Sequence, residues 1–146
     1  MMTKFFKNKK IIAILIILIV LIGGALFVFR NYIFASPPER TVMNFLGAIQ
    51  NKNFDKAISY VWPAERDKFL TSGKILENVS NISDSNVKIK FTGLKYKTIK
   101  IDNNSAEINA SGKLDYQFFN AQKQVPFNRN FKLIKENKQW YIKSLL

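Results

Sequence analysis

Cysteine and histidine are both absent from the 146-residue chain. Without cysteine there is no disulfide framework, no thiolate metal site and no lipid-modified cysteine of the lipoprotein type. Without histidine, the side chain best matched to proton transfer near neutral pH is missing, and with it the common nucleophile–histidine pairs. Acidic residues are scarce, 10 Asp and Glu against 23 Lys and Arg, for a formal net charge of +13. The few carboxylates do not converge. Glu107 and Asp115 fall on the polar side of an alternating stretch, and Asp55, Glu65 and Asp67 fall on or near exposed helix faces. Asp102-Asn103-Asn104 lacks the glycine spacing and the later glutamate of a calcium loop and reads as a turn. The sequence therefore supplies no catalytic, cofactor-binding or metal-ligating set. The expectation is a non-enzyme that carries no cofactor.

What is present begins with a long apolar run. Residues 11–29 contain no charged or polar side chain, and 15 of these 19 are Ile, Leu, Val or Phe. As a helix the run spans roughly 28 Å, close to the hydrocarbon thickness of a bilayer. Its summed insertion preference is on the order of −5 to −9 kcal/mol. Lys4, Lys7, Lys9 and Lys10 precede it, Arg30 closes it, and no dense basic cluster follows. The positive-inside rule then places a basic tail (1–10) in the cytoplasm, a transmembrane helix at 11–29, a linker at 30–37 and an extracytoplasmic domain at 38–146. The alternative is a cleaved signal peptide, with small-residue sites at Gly23-Gly24-Ala25 or Ala35, which would release the same domain as a secreted protein. Both readings export the domain. Subtracting the five basic residues of the leader leaves 18 basic and 10 acidic residues, a net charge of +8. A surface so basic attracts polyanions such as acidic lipid or wall polymer.

The exported part changes period midway. Ser36-Pro37-Pro38-Glu39 reads as a capped helix start, and Val42, Phe45, Leu46 and Ile49 follow at amphipathic spacing. Asn51-Lys52-Asn53 breaks it. Phe54, Ala57, Ile58 and Val61 repeat the spacing up to Trp62-Pro63, and a third helical stretch is expected over 64–79, with a break at Gly73. Strand alternation takes over at Val87, Ile89 and Phe91, with a bulge expected at Gly93 and extended chain to Ile101. A long strand over 106–118, with a bend at Gly112, a turn at 120–123, a strand over 125–135, a turn at 136–138 and a last strand over 139–145 complete the chain. Short connections imply antiparallel pairing. The fold class is α+β: three helices on one face of a curved, four-stranded antiparallel sheet, behind the transmembrane helix.

Two motifs and their order resemble a known family. Pro38-Glu39-Arg40-Thr41-Val42-Met43-Asn44-Phe45-Leu46-Gly47-Ala48 fits the pattern P-E-x-x-V-x-x-F-L-x-A, and Phe54 to Tyr60 fits F-x-x-A-x-x-Y. The closing Asn137-Lys138-Gln139-Trp140-Tyr141-Ile142 is similar to a G-x-W-x-I hairpin, with Asn137 where glycine is common. Together they resemble small bacterial envelope domains of the nuclear transport factor 2-like superfamily, over about 110 residues. The resemblance implies a cone of helices on a curved sheet, which in such domains often encloses an apolar pocket. The same superfamily includes enzymes, ligand binders and assembly modules of secretion or conjugation machines.

Two candidate sites emerge. Phe45, Trp62, Phe91, Tyr116, Phe131 and Trp140 are candidate lining of an apolar pocket, and all six would serve equally as plain core. Lys88, Lys90, Lys95, Lys97 and Lys100 are candidate contacts to anionic lipid or wall polymer, and equally a solvated strand whose charges discourage edge pairing. Alternation puts Lys88 and Lys90 on one exposed face; past the bulge, the side is open. The expected role is a membrane-anchored accessory or interaction domain of the cell envelope. Envelope proteins are its expected partners and nucleic acid the disfavoured one. The alternatives are a binder of a small apolar ligand and a component of a secretion or conjugation machine.

Overall fold

The computed structural model describes residues 14–20, 34–68, 87–118 and 121–145. The chain divides into two compact units, 1–35 and 36–146. In the first, residues 14–20 are helical, and Ile14 to Val20 are all at least half exposed. Among the described residues, no helix is long and apolar enough to cross a membrane. The other residues of the expected 11–29 span lie outside the described set.

The second unit opens with helix α1, Pro37–Gln50. Its start is built as the capping pattern demands. The Ser36 hydroxyl accepts from the Glu39 amide at 3.4 Å, and the Glu39 carboxylate accepts from the Ser36 amide at 2.8 Å. Ser36 is thus part of the second unit. The helix stops at Asn51, and Lys52 follows in the left-handed region at φ 56°. Helix α2, Phe54–Ser59, is capped by the Asn53 side chain, and a single 3-10 turn, Pro63–Glu65, follows. The third expected helix is described only through this turn and the helical residues 66–68. Its remainder lies outside the described set.

Four strands complete the unit: β1 Val87–Ile101, β2 Ser105–Phe118, β3 Ala121–Glu136 and β4 Gln139–Leu145. They form one antiparallel meander in the order β1-β2-β3-β4. β3 starts at Ala121, not at 125. Residues 121–123, read as turn from sequence, continue the ladder, with Phe118 opposite Ala121. Polar side chains hid this, because a strand end that projects past its core loses the apolar alternation. The β3–β4 turn has Asn137 at φ 51° and Lys138 at φ 66°, the twist that matches a tight hairpin. Both turn residues are left-handed, and counted back from Trp140 the glycine of the G-x-W spacing falls on Lys138, not on Asn137 as expected.

One face of the sheet is buried under α1. Phe45 and Phe131 are fully buried and meet edge to face at 6.1 Å, and Leu46, Ile49, Ile108 and Ile142 pack around them. Burying each such side chain contributes about 1.5–3 kcal/mol. Both sheet edges are engaged. The Trp62 amide donates to the Ile142 carbonyl at 2.9 Å and the Ile142 amide to the Tyr60 carbonyl at 2.8 Å, so residues 60–62 extend the sheet beyond β4. On the other edge, the Phe91 amide donates to the Gln50 side-chain oxygen at 2.8 Å, and the Thr98 hydroxyl donates to Glu39 at 2.8 Å. At the β4 edge such backbone pairing hinders strand addition by another chain, while at the β1 edge the engaged backbone group is the Phe91 amide.

Candidate functional site

The sheet's two faces carry the two candidate sites. Residues directly opposite in an antiparallel ladder point to the same side, so the register assigns every side chain to a face. Leu114, Ala110, Ile108 and Ala106 mark the inner face, which α1 covers.

Five of the six aromatic candidates lie along the inner side, but not around one cavity; Trp62 follows the buried Val61, which bridges to Ile142, and turns to the opposite side. Phe45 and Phe131 touch each other in the centre of the core. Phe91 packs edge to face on Phe127 at 5.0 Å. Tyr116 is half-buried and stands opposite Lys123, near the β2–β3 end. Trp140 is buried at the other end, opposite Lys135, whose ammonium lies 5.8 Å from the ring centre. The Trp62 indole donates to Glu136 at 3.0 Å, at the β3–β4 turn, and Lys143 lies 5.6 Å from its ring centre. From position 123 to 136, the strand runs roughly 43 Å. Tyr116 and Trp62 therefore cannot wall a common small pocket. Tyr96, which alternation along β1 does not single out, also lies on the inner face. It stands opposite Ala110, with Arg129 on the far side of Ala110. Burial pushes the Tyr96 phenol up to about 12.

Over β1 and β2 the outer face is polar, and it gathers all five candidate lysines. Strict alternation along β1 would put Lys88, Lys90 and Lys100 on one side and Lys95 and Lys97 on the other. Two irregularities change this. Between Thr92 and Lys95, two β1 residues oppose the single residue Gly112, and between Thr98 and Lys100, Ile99 is extra. Each extra residue reverses the parity of the strand beyond it. The result is that Lys88, Lys90, Lys95, Lys97 and Lys100 stand opposite Gln117, Asp115, Ser111, Asn109 and Glu107, all on the outer side of β2. Glycine makes the first bulge possible. Gly93 adopts φ 61°, and a Cβ on Gly112 would lie 2.8 Å from the Thr92 carbonyl oxygen. Ile99, as the second extra residue, is left half exposed.

Around the first bulge, the outer face is concave. An open depression of about 540 Å³ is lined by Thr92, Gly93, Lys95, Ser111, Gly112 and Lys113. The two acids of the face are held by neutral donors. Asp115 accepts from the Thr92 hydroxyl at 3.1 Å and from the Gln124 amide, and Glu107 accepts from Asn130 at 3.4 Å. Asn109 donates to Asn128 at 2.7 Å and to Asn130 at 2.6 Å, continuing an amide ladder. Lys100 pairs with Asp102 at 3.5 Å. A hydrogen bond from the Ser105 hydroxyl, and then Lys100, hold the Asp102 carboxyl below its ordinary value. Among the described residues, Lys88, Lys90, Lys95, Lys97 and Lys113 have no ion-pair partner. Sequence alternation already put Lys113 on a polar face. Joining it to the β1 lysines required the strand order and the bulge.

No family model matches the chain, and no curated protein sequence matches it. Solved structures do. A SEC-C motif-containing protein from Rhodopseudomonas palustris is similar at a TM-score of 0.50 and 13% identity, over 75% of this chain and 77% of that one. An NTF-2-like protein of unknown function from Shewanella oneidensis is similar at a TM-score of 0.49 and 15% identity, over 73% of this chain and 91% of that one. The helical cell shape determining protein Pgp2 from Campylobacter jejuni is similar at 0.47 and 16% identity, over 73% of this chain and 38% of that one. At such identities, the likeness concerns the fold alone. The fold is α+β, with helices on one face of a four-stranded antiparallel sheet.

Proposed function

We propose that this is a bacterial cell-envelope protein in which a single N-terminal membrane helix displays a non-catalytic accessory or interaction domain of the nuclear transport factor 2-like type outside the cell. The observation that carries the proposal is the 19-residue apolar run at 11–29, flanked by four lysines on its N-terminal side and by no dense basic cluster beyond. A helix that is apolar on every face belongs in a large protein core or in a bilayer. Within that run, Ile14 to Val20 leave at least half of each side chain uncovered. The nuclear transport factor 2-like reading rests on the order of the motifs at 38–48, 54–60 and 137–142, and on the meander that follows the helices. The non-catalytic reading rests on the absence of histidine and cysteine. Partners would dock on the displayed unit.

The missing cysteine makes the topology directly measurable. Lys7→Cys and Asn103→Cys each introduce a single thiol, the second in the exposed β1–β2 turn. A membrane-impermeant maleimide applied to intact cells is expected to label the Asn103→Cys chain at full length, and the Lys7→Cys chain only after lysis. Labelling of both only after lysis, or recovery of the chain in the cytosolic fraction, refutes the proposal. Release of a labelled, shortened Asn103→Cys chain into the medium identifies the cleaved alternative.

A further inference from the structure

The bulged lysine face is built, not incidental: two one-residue insertions are needed to put all five β1 lysines on one side. Along β1 the outward positions 88, 90, 92, 95, 97 and 100 recur at steps of about 6.7 Å and cover roughly 33 Å. All but Thr92 are lysines, and at the Thr92 rung the charge is supplied from β2 by Lys113. A row of regularly spaced cations matches a row of regularly spaced anions.

We infer that this outer face docks a linear, hydrophilic polymer of phosphodiester-linked polyol units, the chemistry of bacterial wall polymers, and that the depression between Lys95 and Lys113 seats one phosphate. The choice of a wall-type polymer rests on the extracytoplasmic reading above; the anion preference does not. Three features select this occupant. The polymer's repeat, one phosphate per short polyol, is comparable in length to the two-residue step of the strand. Besides Asp115 and Glu107, which neutral donors hold, the groups between the lysines are hydroxyls and amides, Thr92, Ser111, Asn109, Asn128 and Asn130, which suit a polymer rich in hydroxyls. The β1 and β2 rungs of this face from Lys88 to Lys100 present no aromatic side chain. Single-stranded nucleic acid is held by base stacking on aromatics, and membrane-surface binding by apolar side chains that enter the interface. This stretch offers no aromatic and, apart from the half-exposed bulge residue Ile99, no apolar side chain to the solvent.

The test uses the full chain in phosphatidylcholine nanodiscs and a fluorescent poly(glycerol phosphate) followed by anisotropy. With six phosphate contacts and a slope near that of single-stranded polyanions, binding is expected to weaken about 300-fold between 50 and 200 mM salt. Lys95→Gln/Lys113→Gln removes two contacts and is expected to cut affinity at least about tenfold at 50 mM and the salt slope by about a third. Lys56→Gln/Lys123→Gln removes the same charge from exposed positions off this face and is expected to change affinity less than about twofold. Equal losses in the two double variants, or no binding by the unaltered chain, overturn the inference. So does better competition from an oligothymidylate or from phosphatidylglycerol vesicles at equal phosphate. Cysteine labelling separates the two failures. An outward-facing Asn103→Cys chain that ignores the polymer sinks this inference alone, whereas tight polymer binding by a chain labelled only after lysis sinks the topology alone.

Discussion

Gly112→Ala tests the bulge that aligns the lysines. The added Cβ would lie 2.8 Å from the Thr92 carbonyl oxygen, 3.1 Å from the Leu94 Cα and 3.1 Å from the Leu94 Cδ2. Only the last of these can swing aside. The first two are backbone, so β1 must move away from β2 where the chain is already irregular. Overpacking of this kind costs about 1–3 kcal/mol. Against it stands the gain from removing a flexible residue in a strand, roughly 0.5–1 kcal/mol. The net expectation is a loss of about 1–2 kcal/mol. Urea unfolding of residues 36–146, followed by Trp62 and Trp140 fluorescence, reads this as a midpoint lowered by about 0.5–1 M.

Two companion variants separate the causes. At Gly93, a Cβ meets nothing within 4 Å, but φ is +61°. Gly93→Ala is therefore expected to lose about 1 kcal/mol through conformation alone. At Gly47, in α1, a Cβ also meets nothing and φ is ordinary, so Gly47→Ala is expected to gain about 0.5–1 kcal/mol. A Gly112→Ala chain as stable as the unaltered one would refute a close-packed bulge. In that case the bulge slides freely, and the common face of the five lysines is not fixed by packing.

Four further outcomes are expected. Phe45→Ala empties the fully buried centre opposite Phe131 and should cost about 3–5 kcal/mol in the same urea experiment. Ser36→Ala removes the oxygen that caps the Glu39 amide and should cost about 1 kcal/mol, whereas Arg40→Ala at an exposed position of the same helix should stay within about 0.5 kcal/mol. Lys138→Gly relieves a left-handed lysine in the β3–β4 turn and should stabilise by up to about 1 kcal/mol, seen as a raised urea midpoint. Because burial raises the folded-state Tyr96 pKa from 10.0 to about 12, the fold keeps Tyr96 protonated where the unfolded chain has released the proton. Its stabilising contribution is complete below pH 10 and lost as pH rises through about 12, and Tyr96→Phe should flatten that alkaline limb.

Helices α1 and α2 were legible because short-range rules fix them. The Ser36–Glu39 box and the spacing of Val42, Phe45, Leu46 and Ile49 lie within single turns and need no partner to be read. Strand alternation was legible wherever one face is buried, hence Val87 to Phe91 and Ala106 to Leu114. It failed at residues 121–123, where the β2–β3 ribbon carries polar side chains at its tip and the two-residue period disappears.

The lysine face shows the deeper limit. Lys88 and Lys95 are seven residues apart, an odd number, so alternation alone assigns them opposite sides. Gly93 signalled that a residue was extra, but not whether one or two were, and each added residue inverts the answer. What decides it is the register against β2, where one residue, Gly112, faces two. Gly112 is small because the Thr92 carbonyl comes so close to it. The local composition of β1 thus depends on a residue nineteen positions downstream for its meaning. A second inversion at Ile99 then returns Lys100 to the same face. Parity errors of this kind do not average out along a strand. Missing the first extra residue would set Lys88 and Lys90 against Lys95, Lys97 and Lys100, and missing the second would part Lys100 from the other four, so the single row exists only when both are counted.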